Sequence, residues 1–207
     1  TKGQAFPKMY SETEKPISIV VVPAINKSTA ADAANLVNST LTIPFADNGY
    51  YVLPIAIVSD IFRREGLIEG SQIQGIPLSM FKTSFGADSV LYITINKWDT
   101  NYVVLAANVV VGMSYVLRST TDSEILWSYD QEIVVDTSGD STGFLLADII
   151  KTAITTAMTD YIPIARQVNA TAVATMPYGK YHPLNNTDAE AKVVLKKSRE
   201  NAVMSTD

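Results

Sequence analysis

The run Ile17–Val22 is six residues long and carries a β-branched aliphatic side chain everywhere except Ser18, and Pro23 ends it. Apolar side chains at successive positions of a strand point to both faces of a sheet, so both faces must be covered. This one segment therefore requires an α/β architecture with helices packed on a sheet. The loop Asn26-Lys27-Ser28 follows, and the Ala-rich stretch Ala30–Leu41 suits a helix. The turn Asp47-Asn48-Gly49 leads into Tyr50–Val58, which reads as a second strand. Parallel pairing of two strands needs a crossover, and Ala30–Leu41 supplies one.

Further along, Ser59 suits an N-cap for a short helix over Asp60–Glu65, with Gly66 at the stop position. Pro77 can start a helix that ends at Phe85 before Gly86. Ser89–Lys97, Tyr102–Leu117 and Glu124–Val135 read as three strands of an antiparallel meander, with Gly112 marking a bulge and Thr120–Ser123 a hairpin turn. Phe144–Met158 has a helical apolar stripe, and Pro163 restarts a helix towards Ala174. The expected fold is a single two-layer α/β (α+β) sandwich, a mixed sheet of about five strands with helices packed on it. The domain spans residues 17–183. Residues 1–16 read as an extended N-terminal tether because Pro7 and Pro16 oppose helix, and residues 184–207 as a C-terminal tail or short helix.

Composition narrows the function. Hydrophobic residues make up 47% of the 207, enough for a substantial core. With 16 basic and 21 acidic residues the net charge is −5, which argues against nucleic acid as a partner. The absence of Cys excludes disulfides, zinc-thiolate sites and a thiol nucleophile, and a single His leaves little for triad or poly-His chemistry. After Val22 the sequence PAINKSTA has no glycine, so Lys27-Ser28 does not complete a phosphate loop. Asp122, Glu124, Asp130 and Glu132 alternate onto one strand face, which suits a solvated hairpin better than a glycosidase pair. Trp98 and Trp127 read as core anchors, and Lys192, Lys196, Lys197 and Arg199 as a solvated basic face. His182 lies between Tyr181 and Pro183 without an obvious orienting partner. The sequence implies no cofactor and no metal.

Several stretches, taken in order, resemble a family of bacterial outer-membrane lipoproteins of unknown function. Its members are similar to the TolB N-terminal domain and, more distantly, to LpoB and the periplasmic part of CsgG. The matching pieces are Ser18–Pro23 with Asn26, Gly49–Pro54 with Phe62 and Gly66, Phe85–Asp88 with Leu91–Thr94, Leu126-Trp127, and Tyr178-Gly179. The resemblance implies an N-terminal lipid, carried on a Cys that this chain lacks, and a place on the periplasmic face of the outer membrane. It also implies a non-enzymatic role through protein contacts in an envelope complex. Expected partners are a CsgG-like channel component or a peptidoglycan synthase, with homo-oligomerisation open. The surface expected to meet them comprises Asn26, Lys27 and Ser28, the loop residues Tyr178, Tyr181 and His182, and free strand edges. The competing reading is a hydrolase or small-ligand-binding protein with a non-standard Asp/Tyr site.

Overall fold

In the computed structural model, residues 1–103, 106–136 and 161–193 are described. Six strands form one mixed sheet: β1 (Ser18–Val21), β2 (Ile25–Asn26), β3 (Tyr51–Val52), β4 (Ser89–Val103), β5 (Ala106–Ser119) and β6 (Ile125–Asp136). Their order is β3-β1-β4-β5-β6, with β2 pairing on β4 beyond the end of β1. β1 runs parallel to both neighbours, whereas β4, β5 and β6 are the antiparallel meander. The mixed α/β fold and the long final hairpins are as the sequence suggests.

The helices are α1 (Lys2–Ala5), α2 (Ala33–Ser39), α3 (Thr42–Asp47), α4 (Ile55–Arg64), α5 (Gly70–Ile73), α6 (Leu78–Phe85) and α7 (Ile162–Ala174). From β1 the chain steps outward to β3, then back across β1 to β4. Right-handed crossovers in opposite directions put their helices on opposite faces. Accordingly β1 and the residue after it feed two cores, Ile19 and Val21 into one, Val20 and Val22 into the other. The larger core packs α2, α3 and α7 against β4–β6 around Trp127, Tyr115 and Phe45. The smaller one joins α4 and α6 through Phe62, Phe81 and Phe85. The parallel half of the sheet is thus covered on both faces, one layer more than the two-layer expectation.

Three sequence expectations change. The strand expected over Tyr50–Val58 stops at Val52, because Pro54 caps α4 and Val58 and Phe62 then point together into the smaller core. Tertiary burial of that i,i+4 pair overrides the β-branched composition, so Ser59 lies inside the helix rather than capping it. The lead-in 1–16 is not an extended tether: α1 and a 3₁₀ turn over Pro7–Tyr10 place Phe6 and Met9 in the core. At Gly112 the extra residue sits on the facing strand, where the register skips Asn96 and a Cβ on Gly112 would stand 3.2 Å from the Lys97 Cβ. The helix expected over Phe144–Met158 falls outside the described residues, as do residues 194–207 of the expected tail.

Two of the matching sequence pieces meet in space. Gly49 has φ +88°, and a Cβ there would strike the backbone nitrogen of His182; a Cβ on Gly179 would strike the Gly49 carbonyl. The Gly179 amide donates to Asn48 O at 2.8 Å and the Tyr181 amide to Gly49 O at 3.2 Å. Only residues without side chains allow this approach. Replacing Gly179 with Ala is expected to lower the unfolding free energy by about 2 to 3 kcal/mol. Gly75→Ala, at a position with open space, should change it by less than ~0.5 kcal/mol. Urea unfolding of both variants checks the contrast, and equal midpoints would refute the interlock.

Candidate functional site

The residues expected to form one surface lie at two ends of the sheet. Asn26 sits where β2 pairs with Thr94 and Ile95 of β4, and the Lys27 amide donates to Ile95 O at 2.8 Å. Asn26 folds its loop inward: its Oδ1 accepts from the Ser28 amide and hydroxyl at 3.0 and 2.7 Å, and its Nδ2 donates to Ala30 O. Lys27 is exposed. Tyr178, Tyr181 and His182 lie near the starts of β1 and β3, five residues back along β4, where Ser89 faces Ile19. The first loop is a self-bonded turn; the second belongs to a larger construction.

That construction clamps residues 2–15 against residues 176–188. The Lys2 ammonium donates to Asp188 Oδ2 at 3.0 Å and to Met176 O at 2.9 Å, with both charged side chains over nine-tenths buried. Asp188 also accepts from Tyr10 Oη and from the Tyr178 amide. Lys15 is buried with its ammonium on three neutral oxygens, Tyr178 O, Asn185 Oδ1 and Asn186 Oδ1, at 2.6–2.7 Å. Burial pulls its pKa down to about 8, with Asp188 pulling up and Lys180 pushing down. Asn48 Nδ2 and Tyr50 Oη both donate to Pro177 O. The Tyr178 and His182 rings stack at 3.8 Å and 2°, and His182 Nδ1 accepts from the Leu184 amide. The lone histidine is therefore engaged in holding its own loop. Nothing in the local sequence around Lys2, Lys15 or Asp188 signals this clamp, since its partners are more than 160 residues apart.

Beside the clamp lies a cleft of about 190 Å³ bordered by Glu14, Lys15, Asp88, Ser119, Asp122 and Lys180. Its carboxylates are committed. Asp88 Oδ2 accepts from the Ile17 and Ser18 amides and the Ser18 hydroxyl, and its Oδ1 accepts from Lys82 at 2.6 Å. Burial pushes the Asp88 pKa up, but these donors outweigh it and leave it lowered. Lys8 bridges Asp122 and Glu14, and its hydrogen bond holds Asp122 at about 2. Asp88 and Asp122, so placed, stay ionised and cannot hand over a proton near neutrality. Among the described residues no cluster of three or more His, Asp or Glu could hold a metal ion.

Exposed apolar side chains accompany the clamp. Tyr181 is 69% exposed and Leu184 52%, and Tyr51, two residues after Gly49, is 53%. Aromatic residues standing out of an otherwise satisfied polar surface are characteristic of contact sites.

Comparison with known proteins gives a consistent result. The family described as "Putative lipoprotein GNA1162-like" matches residues 9–180. "Putative lipoprotein NMB1124/NMB1162" of Neisseria meningitidis serogroup B is 30% identical over 161 residues, 77% of this chain and 75% of that protein. The crystal structure of lipoprotein GNA1162 from Neisseria meningitidis aligns with a TM-score of 0.58 at 28% identity, covering 68% of this chain and 96% of that one. A PelC dodecamer from Paraburkholderia phytofirmans gives a TM-score of 0.48 at 16% identity, over 76% of this chain and 87% of its own.

Asp188→Asn leaves the Lys2 ammonium buried without its counter-charge, so a loss of about 3 kcal/mol or more is expected. Limited proteolysis should then cut within residues 1–16, and wild-type resistance in the variant would disprove the clamp. Lys15 gives a pH signature. Its folded pKa of about 8 lies below the unfolded 10.5, so burying the cation costs stability in full below pH 8. That cost fades as pH rises towards 10.5. Urea midpoints should therefore rise from pH 7 to 9.5 in the wild type relative to Lys15→Met, and parallel profiles would contradict the assignment.

Proposed function

This chain belongs to the GNA1162-like putative lipoprotein family, and from that membership we propose that it is a non-enzymatic envelope domain working through protein contacts. In this reading an N-terminal lipid holds it on the periplasmic face of the outer membrane, within a complex that includes a CsgG-like channel component or a peptidoglycan synthase. Among the described residues no helix is long and apolar enough to cross a membrane, which agrees with attachment through a lipid. The observation that carries the proposal is the contrast at the clamped end of the sheet. There the titratable groups are used up in internal bonds, while Tyr181, Leu184 and Tyr51 stand out uncovered. Tyr178 and His182 fix the loop that presents Tyr181, and Asn26, Lys27 and Ser28 form a separate contact point at the far end.

The cleft beside Lys15 favours the competing reading of a ligand-binding or hydrolytic site, since a concave polar surface is where small molecules bind. Its carboxylates, however, already have cationic partners, which weakens that reading. A photo-crosslinking residue placed at Tyr181 or Leu184 in cells making the native lipoprotein should capture a channel component or a cell-wall synthase. The same residue at exposed Gln74 should not. The double change Tyr181→Ala with Leu184→Ala should weaken association with the captured partner roughly tenfold while leaving thermal unfolding unchanged. Equal crosslinking at all three positions, or none, would overturn the proposal.

A further inference from the structure

The cleft beside the clamp is unevenly neutralised. Its three carboxylates are matched by lysines from outside its lining: Lys8 bridges Glu14 and Asp122 at 3.3 and 2.7 Å, and Lys82 holds Asp88 at 2.6 Å. Its two cations, Lys15 and Lys180, form no ion pair among the described residues. Asp188 acts on Lys15 from a distance, but it is already neutralised by Lys2 at 3.0 Å. Lys180 pushes the Lys15 pKa down, as a like charge nearby does. Two ammonium groups therefore share one cleft without an anion between them.

The two differ in what they can offer a ligand. Lys15 is 4% exposed, and its three N–H groups are spent on Tyr178 O, Asn185 Oδ1 and Asn186 Oδ1, oxygens that carry no charge. It acts on a ligand through its field, which burial screens less than open solvent would. Lys180 is half-buried and donates once, to Glu12 O at 3.0 Å, which leaves two N–H groups for a ligand. The Thr121 hydroxyl also borders the cleft and bonds nothing among the described residues. Pro16, Ile17 and Leu126 add apolar surface. At about 190 Å³ the space falls below the ~300 Å³ at which sites for whole cofactors begin. A chain end fits it: a carboxylate with one or two small apolar groups behind.

We propose that this cleft receives the C-terminal carboxylate of a peptide, with Lys180 and Thr121 donating to it, Lys15 supplying positive charge behind them, and Ile17 and Leu126 taking the adjoining apolar side chain. Capture of a terminal carboxylate is a recurring mode of peptide recognition. The matched acids explain why the cleft favours an anion: none of them is left to attract a cation. The apolar wall explains why it favours a peptide end over a bare inorganic anion. The inference deepens the contact reading and rests on it for the source of the peptide. Lys180 directly precedes Tyr181, so a partner chain lying on Tyr181 has the cleft beside it.

The test titrates the full chain with N-acetyl-Ala-Ala as the free acid, with the same peptide as its C-terminal amide, with acetate and with inorganic phosphate, following backbone amide signals by NMR. The free acid is expected to shift the Thr121 and Lys180 signals saturably. The amide should bind roughly tenfold more weakly or worse, because charge-assisted hydrogen bonds are lost. Acetate and phosphate should also bind more weakly, lacking the apolar part. Lys180→Met should weaken the free acid roughly tenfold with little change in the urea midpoint, Lys180→Arg should restore it, and Lys27→Met, at the far end of the sheet, should leave it unchanged. Thr121→Val, at an exposed position, gives a second loss that does not involve the Glu12 contact. Equal affinity for acid and amide, no saturable shift with the acid, or wild-type binding by Lys180→Met would overturn the proposal. Acetate or phosphate binding as well as the peptide would reveal a free-anion site and overturn it too. Peptide binding without crosslinking at Tyr181 in cells would support the cleft and remove the envelope partner, whereas crosslinking without peptide binding would do the reverse.

Discussion

The arrangement depends on a strand too short to pair well by itself and too apolar to be left exposed on either face. β1 with the residue that follows it contributes Ile19 and Val21 to one core and Val20 and Val22 to the other, all at 1% exposure or less. Because both faces are occupied, helices have to come back over the sheet in both directions, and the strand order β3-β1-β4 follows from that requirement. A one-residue slip would exchange the two cores. Asp88 guards against it by accepting from the Ile17 and Ser18 amides, which pins the start of β1 to the start of β4.

The end of the sheet where β1 begins is closed by residues 1–16 together with residues 176–193. Hydrophobic burial of Phe6 and Met9 brings the N-terminal turns into place, and the buried ions Lys2, Lys15 and Asp188 determine where they dock. Buried charges of this kind add little net stability over an apolar substitute, but they penalise misplacement heavily. That property suits a surface meant to be presented in one orientation. It connects the architecture to the proposed role: the loop carrying Tyr181 is held by Tyr178–His182 stacking, by the Gly49–Gly179 approach and by three oxygens on Lys15. Rigid presentation lowers the entropy lost on association.

Local patterning identifies the meander, α6 with Gly86 at φ +66°, and the tryptophans as core residues. It misreads Ile55–Val58, since four apolar residues in a row satisfy a strand and the first turn of a helix equally well. It also misses α3, where Pro44 lies in the first turn and no amide donor is required of it. At the candidate site the loop with Tyr178, Tyr181 and His182 is legible as a short aromatic segment. Its relation to Gly49 is not, because a contact across about 130 residues leaves no periodic trace. Asn169, which opens an Asn-x-Thr sequon, is another such case: it is fully buried and bonded to Tyr115, Thr40 and Val37.

The sequence by itself determined the class of fold. A doubly apolar strand, alternating hairpins and glycines at stop positions act over a few residues, and the hydrophobic effect gives them one solution. The tertiary structure alone decided which polar groups are spent and which surfaces remain. Lys15 could have been an ordinary exposed lysine and Asp188 an ordinary acid in a tail. Their roles arise when backbone crossovers bring residues 1–16 and 176–193 to the same end of the sheet, and long-range electrostatics in a buried setting depends on that placement rather than on neighbours in sequence.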